Sequence, residues 1–551
     1  MTTISNPREE LPALTGLRFI AAMSVAIAHS RGFFWPAADF PNAHWLSSVA
    51  GFGMTLFFVL SGFVIHYNYN IPISTGGIKG FREFMWVRFA RLYPLFVLVL
   101  LFDFLLGADL VKYFSTSPDL KSLGEATSAL SIHLLMIQSW IYVPYDSQSL
   151  IYRLGYSAPL TWSISTEWFF YLSYPLIAAC LLRLKSSWRA ITAIVIFCSL
   201  WIWLAVWAFN NISNIDLWAI EKYGPVASFG KNTQDSFVRW ILYFSPYLRI
   251  GEFILGGLVA HLFMVLRDRP VGLVERRIGV AFLLLALCSQ PLQAYLMYGD
   301  NHSVPILRQM SFNFSLAPSV AIIIFCSVRY RSWISSALST KPMIAGGEAS
   351  YSIYLVHMVT LVAMTRVMAG GSVEATTSGM LFLAAKQIFV LAIIVLVSLG
   401  LHKIYEEPAR RWMRNLRRQD ASINAKLGSV FIFVLPAIVA LQLSIWGSFL
   451  SSSVRQRAMP TKGIKVDSAT YGANCGAPLN NALRHIETAC DGKDSCQYVV
   501  DVKNLGDPAQ GCGKSYILTY QCLPEKKSTT LILPGEAGLG AVANLSCAAQ
   551  K

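Results

Sequence analysis

Residues 379–402 read GMLFLAAKQIFVLAIIVLVSLGLH, and Lys386 is the one charged residue among them. A helix crosses the hydrocarbon core of a bilayer with about 20 mainly apolar residues, so this run is predicted to be a membrane-spanning helix. Comparable runs lie on both sides of it along the chain. They are found at 13–34, 49–69, 91–110, 159–182, 190–208, 240–266, 278–298, 310–328, 350–370 and 427–449.

The composition agrees with these eleven predicted spans. Apolar residues make up 54% of the 551 residues and charged residues only 14%, whereas a soluble domain carries about 25% charged residues. So few charges cannot cover a water-facing surface, which excludes an ordinary soluble enzyme, a disordered protein and a fibrous one. The excess of Lys and Arg residues that gives the net charge of +15 lies in the segments between the apolar runs. Membrane lipid, and not nucleic acid, is therefore the predicted partner.

Segment 129–143 is apolar but shorter than a span, which suits a re-entrant or short interfacial helix. If it does not cross and the N-terminus is cytoplasmic, the predicted cytoplasmic loops hold 21 Lys and Arg residues and the outer loops hold 7. Cytoplasmic loops are expected to carry such an excess. If the segment did cross, every later loop would invert. The C-terminal tail is therefore predicted to lie outside the cytoplasm.

Six of the ten cysteines fall in the last 77 residues. Such a cluster predicts a disulfide framework in an oxidising compartment, with a zinc site as the alternative. Six cysteines allow 15 pairings, which the sequence leaves open. The stretches YILTYQC and CQYVVDV alternate as short β-strands do. The disulfide candidates are Cys475, Cys490, Cys496, Cys512, Cys522 and Cys547.

The sequence thus predicts an all-α polytopic membrane protein with about eleven transmembrane helices and one extra re-entrant or short helix. A small, disulfide-rich, mainly β extracytoplasmic domain follows it.

Inside the spans, ionisable residues are functional candidates because they are costly in lipid. Arg18 and His29 are eleven residues apart, which is three helical turns, so they share a face about 16 Å apart. Arg88 and Arg91 share a face at i and i+3, either as lipid-facing anchors or as a phosphate clamp.

A second set of polar residues is predicted to face the same interior. Glu167 lies inside the 159–182 span after Trp162 and Ser163, and His29 is its plausible partner because a lone carboxylate at that depth is costly. Ser61 lies in a Gly-rich span, where it serves either close packing or substrate contact. Tyr351, Ser352 and His357 form a further polar stripe.

Seven motifs occur in one order in this chain: GLRFIAAMSVAIAHS, FGMTLFFVLSGFVI, RFARLYP, TWSISTEWFFYLSYP, RIGEFILGG, SYSIYLVHM and YEEPARRW. Together they resemble the acyltransferase 3 family of integral membrane acyltransferases over residues 10–412. The resemblance implies O-acylation, usually O-acetylation, of an extracytoplasmic glycan such as lipopolysaccharide or exopolysaccharide. It implies that acyl-CoA is the donor, that Arg18 and His29 belong to the active site, and that Arg88 and Arg91 serve the donor. Trp168 stands where the family often has a second acid.

The tail resembles the galactose/rhamnose-binding (SUEL-type) lectin domain over about 465–523. The matching stretches are YGANC, CDGKDSCQYVV and LGDPAQGCGKSYILTYQC. Ala473 and Ala509 depart from that family's sugar-contacting pattern, so a disulfide-stapled outer domain without a ligand is the alternative. The predicted order of segments is a transmembrane acyltransferase domain at 1–412, a basic cytoplasmic linker at 413–426, a further helix at 427–449, a tether at 450–466 and the cysteine-rich domain at 467–551.

The resulting hypothesis is an inner-membrane O-acetyltransferase with acetyl-CoA as co-substrate and no metal. Acetyl-CoA would bind Arg18, Arg88 and Arg91, and the catalytic residues would be His29 and Glu167. His29 would act as a general base oriented by Glu167, or as a nucleophile. The acceptor, a glycan or lipid-linked saccharide, would contact Ser61, Trp162, Ser163, Tyr351 and His357. A sugar transporter or flippase with an outer sugar-binding domain, or a receptor without enzymatic activity, are the alternatives.

Overall fold

A computed structural model describes most of the chain. The described residues are 10–35, 46–106, 120–145, 148–154, 157–230, 234–298, 315–367, 377–416, 462–475, 477, 480–506, 512–524 and 527–547. They belong to two compact units, Met1–Leu435 and Pro436–Lys551. The predicted span at 427–449 lies outside the described residues.

The first unit is built of helices. The helices are α1 (Pro12–Phe34), α2 (Leu46–Leu106), α3 (Leu120–Leu134), α4 (Trp162–Leu181), α5 (Ser187–Asn210), α6 (Ile212–Tyr223), α7 (Pro246–Leu266), α8 (Leu273–Tyr298), α9 (Ala317–Arg329), α10 (Trp333–Leu338), α11 (Lys341–Glu348), α12 (Ser350–Val367), α13 (Thr377–Leu401) and α14 (Glu407–Leu416). A π-helix over Trp240–Phe244 leads into α7, and another over His402–Glu406 joins α13 to α14.

Six helical stretches in the described part of the chain are long and apolar enough to cross a membrane. They are Pro12–Phe34, Ser48–Leu100, Ser187–Asn210, Phe237–Leu266, Leu273–Leu296 and Met380–Asn415, with Ala317–Arg329 and Ser350–Met364 as shorter apolar helices. Large apolar side chains are exposed on the outer helices; Trp188 on α5 is 74% exposed and Leu381 on α13 is 69% exposed. Such surfaces suit lipid and not water, so the protein is an integral membrane protein.

The second and third predicted spans differ from the structure in how they are joined. The predicted span 49–69, the loop after it and the described part of the predicted span 91–110 all lie in α2, which consists of two helical halves that meet at a kink at Gly77, where φ is 51°. The loop is helical on both sides of Gly77, and its polar side chains, such as Lys79 and Arg82, remain exposed. Helix α4 is not among the six stretches above. Segment 129–143 contains the end of α3, which is followed by a turn.

Helices α2 and α7 approach so closely that only glycine fits at two positions. A Cβ added to Gly62 would lie 1.9 Å from the carbonyl oxygen of Phe253, and one added to Gly256 would lie 2.0 Å from that of Val59. Small residues permit this approach between membrane helices. The contact brings the two helices together directly beside Ser61.

The second unit is a small α+β fold with antiparallel sheets. Strands β1 (Gly463–Tyr471), β3 (Tyr516–Leu523) and β4 (Lys527–Leu533) form one sheet in the order β1–β3–β4, and β2 (Ser495–Asp501) pairs with β5 (Leu539–Ser546). Helix α15 (Leu483–Cys490) packs on them. Strand β1 begins inside the predicted tether because Ile464 and Val466 are buried core residues.

Three disulfides close the second unit, which confirms the predicted framework and supplies the pairing. Cys475 pairs with Cys512, Cys490 with Cys496, and Cys522 with Cys547. The Cys490–Cys496 bond joins the end of α15 to the start of β2. The Cys522–Cys547 bond joins β3 to the residue after β5, so it fastens one sheet to the other.

Candidate active site

A pocket with about 710 Å³ of empty space, open solvent included, lies among α1, α2, α4 and α12. Residues predicted for donor binding and for acceptor binding meet there, together with Glu167, one of the two predicted catalytic residues; the other, His29, does not line the pocket. Seven of them line it: Arg18, Ser61, Arg88, Arg91, Ser163, Glu167 and Tyr351. Apolar side chains, including Phe57 and Leu92, complete the lining.

Helix α2 reaches the pocket twice. Ser61 and Arg88 are 27 positions apart, and a straight helix would separate them by about 40 Å. Both line the same pocket, so the interruption at Gly77 must turn the second half of α2 back along the first. Glycine suits that position because φ is positive there and a side chain would be strained.

Three guanidinium groups act on one another in this pocket. The charge on Arg18 is within electrostatic reach of Arg91, Arg88 and the opposite charge of Glu167. Arg88 is only 7% exposed; its Nη2 donates a hydrogen bond of 2.8 Å to the hydroxyl of Tyr69, and its Cζ lies 4.8 Å from the centre of that ring. Its buried Nε has no hydrogen-bond partner among the described residues, so the cost of burying it would fall if an anionic ligand accepted from it.

Glu167 is held by two hydroxyl groups. Its Oε1 accepts a hydrogen bond of 2.8 Å from Oγ of Ser61 and a second, short one from the hydroxyl of Tyr171. Sequence reasoning missed Tyr171, although its position one helical turn after Glu167 places the two side chains together. These contacts give the carboxylate a fixed orientation and compensate part of its burial cost.

His29 pairs with His357 instead. Nδ1 of His29 lies 2.8 Å from Nε2 of His357, and the two rings are nearly parallel, at 7°. The predicted contact between His29 and Glu167 is absent from the described hydrogen bonds. The reason is the helix arrangement: α12 places His357 opposite His29, whereas α4 turns Glu167 toward Ser61 on α2.

The hydrogen-bond network assigns the tautomers of this histidine pair. Nδ1 of His357 lies 2.7 Å from the carbonyl oxygen of Tyr354 and 3.2 Å from that of Ile353. A carbonyl oxygen only accepts, so Nδ1 of a neutral His357 carries its proton and its Nε2 has a lone pair. Nδ1 of His29 must then donate to it. The remaining nitrogen of His29, Nε2, has no hydrogen-bond partner among the described residues and holds a lone pair.

The remaining predicted contact residues lie in different surroundings. Ser163 donates a hydrogen bond of 2.8 Å to the hydroxyl of Tyr354, and Tyr351 donates one of 2.6 Å to the carbonyl oxygen of Leu92. Trp162 and His357, predicted to contact the acceptor, do not line the pocket. The centre of the Trp162 ring lies 5.6 Å from Cζ of Arg249.

Arg249 forms a buried ion pair with Glu252 at 2.8 Å. Thr55 donates a further hydrogen bond of 2.8 Å to the carboxylate. Trp162 therefore covers a structural ion pair beside the pocket. Within the described residues, no group of three or more His, Cys, Asp or Glu side chains could hold a metal ion.

Comparison with known proteins gives a consistent result. A model of the acyltransferase domain of the acyltransferase 3 family matches residues 11–402. The chain is 25% identical over 409 residues to acyltransferase MdmB of Streptomyces mycarofaciens, which covers 74% of this chain and 93% of that protein. It is 24% identical over 368 residues to O-acetyltransferase OatA of Staphylococcus aureus, which covers 64% of this chain and 51% of OatA.

A shorter stretch resembles a further protein more strongly. Over 96 residues the chain is 40% identical to protein 2 in the picA locus of Rhizobium radiobacter, which covers 17% of this chain and 44% of that protein. The chain therefore spans about half the length of OatA and less than half of the picA-locus protein. No solved structure is significantly similar to it.

Proposed function

Because the chain belongs to the acyltransferase 3 family, we propose that it is a membrane O-acetyltransferase that moves an acetyl group from cytoplasmic acetyl-CoA to a hydroxyl of an extracytoplasmic glycan. The observation that carries the proposal is the convergence of three arginines on one pocket inside a helical bundle. Coenzyme A carries several phosphate groups, and the guanidinium fork matches phosphate oxygens. Arg18, Arg88 and Arg91 would therefore bind the donor.

The base in this proposal is His29. Its Nε2 would take the proton from the acceptor hydroxyl while the hydroxyl oxygen attacks the thioester carbonyl carbon. The new carbon–oxygen bond forms, the carbon–sulfur bond breaks, and coenzyme A leaves as a thiolate that receives the proton from His29. The hydrogen bond from Nδ1 of His29 to His357 would hold the ring and stabilise its charged form.

A covalent version uses the same residues. In it, Nε2 of His29 attacks the thioester carbonyl carbon, the carbon–sulfur bond breaks and coenzyme A leaves as a thiolate, so that His29 carries the acetyl group. The acceptor oxygen then attacks the acetyl carbon, the carbon–nitrogen bond breaks, and the freed imidazole takes the hydroxyl proton. Rapid mixing of acetyl-CoA with the enzyme in the absence of glycan separates the two versions, because only the covalent one labels His29.

Glu167 would act on the pocket arginines and on Ser61, and not on the base His29. Its negative charge offsets part of the charge of three arginines, and it fixes the Ser61 hydroxyl that faces the bound molecules. Ser163 and Tyr351 also line this space. We assign Ser61, Ser163 and Tyr351 to the walls around the acetyl group and the acceptor oxygen.

The second unit would hold glycan near the membrane domain. A tethered binding domain raises the effective concentration of its ligand. Its three disulfides suit an oxidising space outside the cytoplasm, which agrees with the predicted outward position of the tail. This part of the proposal rests on the lectin resemblance, and removal of the unit should raise the KM for glycan and leave that for acetyl-CoA unchanged.

Transfer of radiolabel tests the function. Purified protein in lipid vesicles is incubated with labelled acetyl-CoA and envelope glycan from the source cell, and His29→Ala is compared with Arg189→Ala, which changes an exposed residue of α5. Label should move to glycan with the native protein and with Arg189→Ala, but not with His29→Ala. Glycan binding without label transfer would instead support a sugar transporter, since intramembrane charges also suit transport.

A further inference from the structure

Helix α2 contains a proline close to the donor-binding arginines. Pro94 lies three residues after Arg91. Proline lacks the N–H group that would bond to the carbonyl of residue 90, so the helix is weakened at this turn. The backbone that carries Arg91 would bend freely here unless other elements held it.

Two tyrosine hydroxyls hold this turn from outside the helix. The hydroxyl of Tyr351 on α12 donates a hydrogen bond of 2.6 Å to the carbonyl oxygen of Leu92. The hydroxyl of Tyr405, in the π-helix between α13 and α14, donates one of 3.3 Å to the carbonyl oxygen of Pro94. The proline turn is thus attached at two carbonyl oxygens, those of Leu92 and Pro94, to two other parts of the bundle.

A buried carboxylate joins the two tyrosines to each other. Oε2 of Glu406 accepts a hydrogen bond of 2.6 Å from Oγ of Ser352 and one of 3.0 Å from Nδ1 of His402. Ser352 follows Tyr351 in the chain and Glu406 follows Tyr405, so this contact fixes one tyrosine relative to the other. Ser352 is fully buried and Glu406 nearly so. We call five residues together the Pro94 clamp: Tyr351, Ser352, His402, Tyr405 and Glu406.

Arg91 needs such support because no side-chain hydrogen bond fixes it among the described residues. Arg18 and Arg410 are both within electrostatic reach of Arg91 and carry the same charge. Like charges disfavour one another's proximity, and the single carboxylate of Glu167 offsets only part of the charge of the three pocket arginines, so repulsion opposes the position of Arg91 at the pocket until a further anion binds. Because no side-chain hydrogen bond opposes this repulsion, the backbone that carries Arg91 must hold the residue at the pocket.

We propose that the Pro94 clamp is a positioning device that holds the Arg91 backbone at the pocket, ready for the phosphate groups of the acyl donor. This inference rests on the proposed function. A preorganised cation binds its ligand more tightly because less order is lost on binding. Loss of the clamp should therefore weaken the donor and spare the acceptor.

The decisive variant is Tyr405→Phe, because Tyr405 does not line the pocket and the change removes only a hydroxyl. Tyr247→Phe is the matched control, since Tyr247 donates a hydrogen bond of 2.7 Å to the carbonyl oxygen of Trp140 away from the clamp. Binding of labelled acetyl-CoA to the full-length protein in nanodiscs, the KM for each substrate and the thermal unfolding midpoint are measured for both. Tyr351→Phe and the double variant Tyr351→Phe/Tyr405→Phe extend the series.

The dissociation constant and the KM for acetyl-CoA should rise about threefold to tenfold in Tyr405→Phe, as for loss of one hydrogen bond, and further in the double variant. The KM for glycan and the unfolding midpoint should match those of Tyr247→Phe. If the double variant bound acetyl-CoA with the same affinity as the native protein, the clamp proposal would be overturned and the proposed function would stand. Equal losses for both substrates would show a merely structural role. A native protein that neither binds nor uses acetyl-CoA would overturn both proposals.

Discussion

Nδ1 of His29 donates a hydrogen bond across 2.8 Å to Nε2 of His357, a residue 328 positions later in the chain. Two backbone carbonyls fix the proton on the far nitrogen of His357. The hydrogen bond is therefore donated from His29 on α1 to His357 on α12. Because Nδ1 of His29 carries the proton, its lone pair is on Nε2. A base needs such a lone pair, and a partner that holds the ring in one orientation makes it available without rearrangement.

Replacing either histidine separates the two roles. His29→Ala should lower kcat by about 100-fold or more, as expected for loss of a general base. His357→Ala should lower kcat by roughly 10-fold, since the base remains but its orientation is lost, with the KM for acetyl-CoA unchanged. Steady-state kinetics in nanodiscs check both values. Equal kinetics of His357→Ala and the native enzyme would contradict a positioning role for His357.

Arg88→Lys should weaken the donor although it keeps the charge. Lysine is a compact cation without the planar fork that matches phosphate, and a hydrogen bond to a charged group contributes about 1.5–3 kcal/mol. The KM for acetyl-CoA should therefore rise roughly 10-fold or more, while that for glycan stays constant. Arg189→Lys, at an exposed position of α5, is the control. A larger change in the glycan KM would place Arg88 on the acceptor side instead.

Gly62→Ala should destabilise the membrane unit. The added methyl group would meet the backbone oxygen of Phe253 at 1.9 Å, and overpacking of this kind costs about 1–3 kcal/mol. Gly76→Ala is the control, because a Cβ at that position meets nothing within 4 Å. Thermal unfolding in detergent should show a lower midpoint for Gly62→Ala only. Equal midpoints would mean that α2 and α7 are farther apart than the structure has them.

The Cys522–Cys547 bond should stabilise the second unit more than the Cys490–Cys496 bond. The two bonds close loops with sequence separations of 25 and 6, and the loop-entropy relation gives about 3.5 and about 2 kcal/mol respectively. Double Cys→Ser variants of each pair, made in the full-length protein, are compared by limited proteolysis of the second unit. The Cys522/Cys547 variant should be cleaved faster. The reverse order would show that native contacts, and not loop closure, govern the difference.

The sequence by itself determined what local spacing controls. Long apolar runs identify an integral membrane protein, because bilayer thickness fixes the length that a span requires. Arg18 and His29 share one face of α1 since helical periodicity fixes that relation without any other part of the chain. The clustering of six cysteines in the tail likewise predicted disulfides, which the second unit contains.

The tertiary structure decided the partners. Sequence reasoning paired His29 with Glu167, but the two lie on helices that turn them toward different neighbours, His357 and Ser61. It also predicted a loop between the spans that bring Ser61 and Arg88 to one site, whereas the connection is helical and turns at one glycine with a positive φ. Periodicity describes one helix at a time, whereas the partner of a buried polar group depends on how several helices pack, and that packing is a property of the whole bundle.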